Sequence, residues 1–302
     1  MNKKVMVTGG LGFIGRHTLQ PLLARGYEVH VISSRLATAP AKEWQVHQAD
    51  LLNCATHEAL MKSIRPSYLL HAAWYTENGQ FWNAIENAYW LSASISLVRS
   101  FYAEGGKRLL ALGTCAEYDW SAGVCVEEST LERPSTLYGR FKKFTAEALS
   151  LLAKHHQGSF VWGRVFFPYG PFEPRQRLIP SVICSLLQNE TAKCSHGRQI
   201  RDFIYVEDLG QALAAILDST QEGIVNLGSG KPVTIQEVAH CIGDLLGKRD
   251  QVLLGAIPES LNSPSSIVAS TKRLNEDWGW TPQFSLQQGL EKTISWWQKK
   301  GP

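Results

Sequence analysis

Short apolar runs alternate with longer stretches of helical periodicity through the first half of the chain. Strands are predicted at residues 5–8, 28–33, 44–48, 68–71, 108–113 and 160–165. Helical patterns fall between them, notably at 13–24, 81–104 and 136–155. Alternating β and α units of this length predict an α/β fold, a doubly wound parallel sheet with helices on both faces. After Val165 the rhythm changes. Phe167-Pro168-Tyr169-Gly170-Pro171-Phe172-Glu173-Pro174 reads as a rigid loop leading away from the main sheet. A further strand is expected at 224–227, then a Gly228-Ser229-Gly230 turn and helices at 234–246 and 285–299.

The first strand runs directly into Thr8-Gly9-Gly10-Leu11-Gly12-Phe13-Ile14-Gly15. Gly9, Gly12 and Gly15 have the spacing of a dinucleotide-binding turn, where missing side chains let backbone approach a pyrophosphate and helix pack on strand. The following helix N-terminus offers N–H groups and a partial positive charge to the phosphates. With a strand before and a helix after, a nucleotide cofactor is the expectation. On this reading residues 1–165 are a dinucleotide-binding domain with a return segment at 203–227. Residues 166–202 and 228–302 then make a smaller, C-terminal substrate-binding lobe.

Bulk properties remove several function classes. With 302 residues, 44% hydrophobic and 19% charged, the composition is that of an ordinary globular protein. A formal net charge of +3 is too small and dispersed for a nucleic-acid partner. No apolar run approaches the roughly 20 residues that span a bilayer, and no signal-peptide pattern is visible, so neither a membrane nor secretion is expected. Six scattered cysteines without a C-x-x-C read as reduced thiols in a cytoplasmic protein, and the histidines show no metal-ligand spacing.

Candidate chemistry gathers on the strand ends. Where a carboxylate after the second strand would favour NAD, the chain has Ile32-Ser33-Ser34-Arg35. Ser33, Ser34 and Arg35 suit a 2′-phosphate, which arginine grips through a charge-assisted fork, so NADP(H) is expected over NAD(H). The simpler reading of Arg35 is a loop residue facing water. Asp50, followed by Leu51, is placed to accept the adenine amino group. Tyr138 and Lys142 stand four apart on one helical face, where a cation is expected to lower the phenol's pKa and fit it for acid/base work. Thr114 offers a hydroxyl on the same rim.

The ordered set 8–15, Asp50, His71-Ala72-Ala73, Asn87, Gly113-Thr114, Tyr138 with Lys142, Tyr169-Gly170-Pro171, Arg201-Asp202-Phe203 and Trp278-Gly279-Trp280 resembles the extended short-chain dehydrogenase/reductase family. More narrowly, it is similar to that family's sugar-nucleotide epimerase, dehydratase and reductase branch. The resemblance implies Tyr138 as acid/base, Lys142 on the nicotinamide ribose and Thr114 on the reacting sugar oxygen. It places Phe13, Ile14, Ala72, Ala73 and Phe166 along the cofactor, and Cys115 and Arg201 beside a nucleotide-sugar substrate. It also implies a homodimer through helices 81–104 and 136–155, with Tyr89, Trp90, Leu97 and Phe101 either at that contact or in the chain's own core.

Departures from the pattern narrow the expected reaction. The family's 4,6-dehydratases carry Asp-Glu after the catalytic threonine; Cys115 and Ala116 here cannot remove water. Phe167 stands where a substrate-contacting Asn is usual. Ala256-Ile257-Pro258-Glu259 lacks a diphosphate-gripping arginine, which Arg175 and Arg177 are candidates to replace. With NADP(H) as cofactor, the expectation is an NADPH-dependent 4-ketoreductase acting on a nucleoside-diphosphate-4-keto-6-deoxyhexose. The alternatives are an NAD-dependent nucleotide-sugar 4-epimerase and a non-catalytic NADP-binding sensor or scaffold.

Overall fold

The apolar runs pair as parallel strands in a computed structural model that describes residues 3–34, 43–258 and 263–302. In chain order these residues form β1 (Lys4–Thr8), α1 (Arg16–Ala24), β2 (Glu28–Ser33), β3 (Gln45–Gln48), α2 (His57–Ile64), β4 (Tyr68–His71), α3 (Glu86–Ala103), β5 (Arg108–Thr114), β6 (Val124–Cys125), α4 (Leu137–His155) and β7 (Ser159–Val165). The chain continues through β8 (Phe167–Tyr169), α5 (Leu178–Leu187), β9 (Ala192–Lys193), β10 (Ile200–Tyr205), α6 (Val206–Asp218), β11 (Gly223–Leu227) and β12 (Pro232–Thr234). It ends with α7 (Ile235–Leu246), β13 (Val252–Leu253), β14 (Ser266–Ala269), α8 (Lys272–Trp278) and α9 (Leu286–Lys300).

The main sheet has seven strands in the order β11-β7-β5-β4-β1-β2-β3, all parallel. Strand order reverses between β1 and β4, which opens a crevice at their carboxyl ends. Side chains alternate across the sheet as its pleat requires. Val5, Val7, Val31, Leu70 and Leu110 meet Leu19 and Leu22 of α1 and Leu209 and Leu213 of α6. Met6, Leu69, Leu109 and Ala111 meet Met61 of α2, Leu97 and Phe101 of α3 and Leu149 of α4. This is the expected doubly wound α/β sheet. The smaller lobe has its own core, where Ile183, Val238, Ile242, Leu290 and Trp297 join Tyr205 of β10.

Three local departures have identifiable causes. The helical pattern from residue 81 breaks into a short 3-10 turn, Phe81–Asn83, with α3 starting only at Glu86. There Asn87 Nδ2 donates to the Phe81 and Ala84 carbonyls at 2.8 and 2.9 Å, taking acceptors a continuous helix would have used. The stretch expected as loop begins instead with β8, which pairs in parallel with β10. Pro168 is tolerated there because β8 has one partner and lies on an edge. In α1, Pro21 lacks the N–H that would pair with the His17 carbonyl. Gly210 of α6 packs onto that carbonyl, where a Cβ would sit 2.1 Å away.

Candidate active site

The glycine turn is shaped by contact, not by sequence pattern alone. Gly9 has φ +66°, and a Cβ there would lie 2.9 Å from Ala73 N; one on Gly15 would lie 2.2 Å from Gly9 O. Gly12 N closes the turn on Gly9 O at 2.9 Å. Phe13 and Ile14, half-buried, lead into α1 at Arg16. Across the crevice, Thr8 Oγ1 shares a 2.7 Å hydrogen bond with His71 Nδ1 and accepts from Ala73 N at 3.2 Å, fixing Ala72 and Ala73 beside the turn. His71 also bonds Ser94, and burial pushes its pKa down to about 3, so it is a neutral tie between strands.

At the ends of β2 and β3, Ser33 is half-buried and Ser34 exposed. Arg35 lies outside the described residues. Asp50 is exposed and its carboxylate accepts from Leu52 N at 3.0 Å; Leu51 is buried. Phe166 is buried in a cluster with Cys115, Tyr118 and Ile267.

The acid/base candidates converge at the end of β5. Thr114 Oγ1 accepts from Ala116 N at 3.2 Å, which leaves its own O–H to donate elsewhere. Beneath it, Thr114 N donates to Glu117 Oε1 at 2.8 Å, so Thr114 and Glu117 form a reciprocal cap on a short 3-10 turn. Helix α4 opens with Thr136 capping Gly139 N at 3.1 Å. It approaches so closely that a Cβ on Gly139 would lie 2.2 Å from Ala116 O, and this brings Tyr138 beside Thr114. Lys142 is 5% exposed; its Nζ donates to Leu112 O at 2.7 Å and sits 3.9 Å from the Trp74 ring centroid. Burial lowers its pKa to about 7, with Glu117 pulling the other way.

The lowered phenol expected from a neighbouring cation is not what this packing produces. Burial dominates and raises the Tyr138 pKa; the Thr114 hydrogen bond and the Arg177 charge draw it down. Helical spacing puts Lys142 near Tyr138, but its ammonium is engaged by Leu112 and Trp74.

The substrate candidates separate. Arg177 stands at the first position before α5, without a side-chain capping bond, and its charge reaches Tyr138. Arg201 is buried, donates to Ile200 O at 2.8 Å and to Ser263 Oγ at 3.1 Å, lies over the Phe167 ring at 5.6 Å and acts on Cys115. Cys115 is buried and its thiol is pushed far up by burial, so it contributes shape and no charge. Arg175 is exposed and donates to Gln188 beyond the far end of α5, so the structure does not bring it to the Tyr138 cluster.

Several residues have no counterpart in the sequence reading. Glu117, fully buried, accepts from Trp162 Nε1 at 3.0 Å and Arg164 Nε at 2.8 Å while holding Thr114. The Thr-x-x-Glu spacing of a capping box is the signal that could have found it. Trp74 over Lys142, the rings of Phe81 and Trp82 against Tyr138, and the buried Glu173 carry no such signal. Among the described residues no group of three or more His, Cys, Asp or Glu is placed to hold a metal ion, and no helix is long and apolar enough to cross a membrane.

Comparison with known proteins decides the family. The model of the NAD dependent epimerase/dehydratase family matches residues 5–228. The chain belongs to that family. This bears out the resemblance to the extended short-chain dehydrogenase/reductases of the sugar-nucleotide branch. Among relatives of this epimerase/dehydratase chain, the UDP-glucose 4-epimerase of Rhizobium meliloti (strain 1021) is 26% identical over 325 residues, covering 99% of this chain and 98% of its own. The UDP-glucose 4-epimerase of Thermus thermophilus, solved in complex with NAD, is 25% identical with a TM-score of 0.84, covering 98% and 99%. MoeE5, solved in complex with UDP-glucose and NAD, is 25% identical with a TM-score of 0.85 over the same shares.

These relatives correct the cofactor and the reaction. Both solved complexes hold NAD, so NADP(H) as cofactor, and the NADPH-dependent 4-ketoreductase built on it, are set aside in favour of NAD and epimerase/dehydratase chemistry. The physical reason is that the case for NADP(H) rests on a missing carboxylate and on Arg35. The hydroxyls of Ser33 and Ser34 donate and accept, and serve ribose hydroxyls as readily as a phosphate.

Proposed function

We propose that the protein is an NAD-dependent nucleotide-sugar 4-epimerase acting on a UDP-hexose. The observation that carries this reading is the Thr114–Tyr138–Lys142 cluster at the end of β5, on a fold matching an NAD-holding UDP-glucose 4-epimerase along its whole length. The turn at Gly9–Gly15 leads into the α1 N-terminus, whose unpaired N–H groups suit a pyrophosphate. Residues 1–165 with the 203–227 return hold the cofactor in this proposal, and 166–202 with 228–302 hold the substrate.

NAD bound there supplies the redox partner for C4 of the sugar. Tyr138 takes the proton of the sugar 4-hydroxyl and returns it when the carbonyl is reduced from the other face. Its phenolate is favoured by the Thr114 hydrogen bond and the Arg177 charge, against burial. Thr114 turns its O–H from Tyr138 to the reacting oxygen when the sugar binds, and Lys142 holds the ribose. Cys115 and Ala116 offer no second acid/base pair, which favours epimerisation over dehydration.

A homodimer through α3 and α4 belongs to the same proposal. Leu97 and Phe101 are core of the chain itself, whereas Tyr89, Phe144 and Leu151 are exposed on those helices. The cytoplasm, where six unpaired cysteines stay reduced, is the proposed location.

The test is incubation of purified protein with UDP-glucose or UDP-galactose, without added cofactor, followed by proton NMR of the anomeric signals. Interconversion together with NAD released on denaturation is expected. A protein that carries NAD yet interconverts neither sugar would overturn the reading.

A further inference from the structure

Three aromatic rings from two separate chain segments meet beside the reacting phenol. The Phe81 ring lies 4.9 Å from that of Tyr138 at 87°, and the Trp82 ring 5.8 Å away at 88°. Trp82 in turn meets Trp120 at 6.4 Å and 87°. The rings are held from both ends. Trp120 Nε1 donates to Cys115 O at 2.8 Å, one residue after Thr114. The turn bearing Phe81 and Trp82 is pinned by the Asn87 hydrogen bonds and by Leu137 N donating to Asn83 Oδ1 at 3.5 Å. Phe81 is buried, but Trp82 keeps 38% of its surface exposed. An immobilised, half-open indole next to an acid/base group is a ready apolar platform, with little conformational entropy left to lose on binding.

A pyranose ring has hydroxyls on its edge and C–H bonds on its faces, so one face is apolar enough to lie on an indole. We propose that Trp82, braced by Phe81 and Trp120, is the platform on which the sugar ring of the nucleotide sugar stacks while its 4-oxygen faces Tyr138 and Thr114. The platform rests on the epimerase reading above and adds to it a residue that determines sugar binding.

The test separates the platform from the reading beneath it. Wild type, Trp82→Ala and Trp82→Phe are titrated with UDP-glucose and with UDP by calorimetry, and assayed for KM and kcat. Trp82→Ala is expected to bind UDP-glucose about tenfold more weakly, seen also in KM, with UDP affinity and kcat little changed. Trp82→Phe is expected to recover most of the loss. A lower kcat at unchanged KM would make Trp82 a buttress of Tyr138 and overturn the platform. So would equal losses for UDP and UDP-glucose. If wild type binds UDP but neither binds nor epimerises UDP-glucose, the epimerase reading fails and the platform falls with it.

Discussion

Glu173 is buried inside the loop that joins the two lobes, and Glu173→Gln is expected to stabilise the protein in a pH-dependent way. The loop is clamped: His17 Nε2 bonds Pro171 O at 3.2 Å, Arg16 lies 3.7 Å over the Phe172 ring, and Phe172 meets Trp296 at 4.8 Å. Glu173 is 6% exposed, and Gly170 N donates to its Oε2 at only 3.4 Å. Burial pushes the carboxyl up to about 8 from 4.5, outweighing the Arg177 charge and the Gly170 bond. Between these values the unfolded chain ionises while the folded one stays protonated, so stability falls as pH rises across that window. At ~1.4 kcal/mol per pH unit the loss is under about 1 kcal/mol at pH 5, roughly 3 at pH 7, and levels near 5 above pH 8. Glutamine keeps the shape and removes the titration. Thermal melts of wild type and variant from pH 5 to 8.5 are expected to diverge steadily, by about 5–10 °C at pH 7. A difference that stays constant with pH, or a variant less stable than wild type at pH 8, would refute the reasoning.

Other expectations follow from the same geometry. Tyr138→Phe removes the proton carrier and is expected to abolish nearly all epimerisation while the NAD content of the purified protein stays normal; retained turnover would move the acid/base role elsewhere. Lys142→Met removes a cation whose pKa burial holds near about 7 against 10.5 in the unfolded chain, a penalty present below pH 7 that fades as pH rises toward 10.5. Less the hydrogen bond lost at Leu112 O, the variant is expected to be inactive yet more stable by about 2–3 kcal/mol in urea melts at pH 6, the gain shrinking by pH 9.5. Gly15→Ala puts a Cβ 2.2 Å from Gly9 O, and is expected to yield protein without bound NAD by absorbance of the denatured supernatant.

What was legible in the chain was whatever local pattern controls. The strands at Glu28–Ser33 and Tyr68–His71 have the boundaries their apolar runs predict, because a strand buried on both faces has little alternative. Thr136 starts α4 by capping it, and the spacing of Tyr138 and Lys142 then follows from the helical repeat. Properties made by distant segments were not legible. Burial sets the Tyr138 pKa against the sign that Lys142 alone would give it, and that burial includes rings from residues more than fifty positions away. Asn87 breaks a helix through two side-chain hydrogen bonds that no periodicity records.

The cofactor shows the same limit from the other side. Gly9 and Gly15 are fixed by the fold, which leaves no room for their side chains, and the strand–turn–helix they close is what points to a dinucleotide. Choosing NADP over NAD rests on one loop arginine and on a carboxylate that is not there. An absent group constrains nothing: two serine hydroxyls and backbone N–H groups have the donors and acceptors to hold a ribose without it. The departures that do bear on chemistry are of the opposite kind, residues present and positioned. Cys115 is such a case, since its thiol is buried, unable to ionise near neutrality, and seated next to the hydroxyl that any second acid would have to accompany. In the proposed reaction the cluster at the end of β5 moves one proton at one sugar oxygen, which is what a 4-epimerase needs and less than a dehydratase requires.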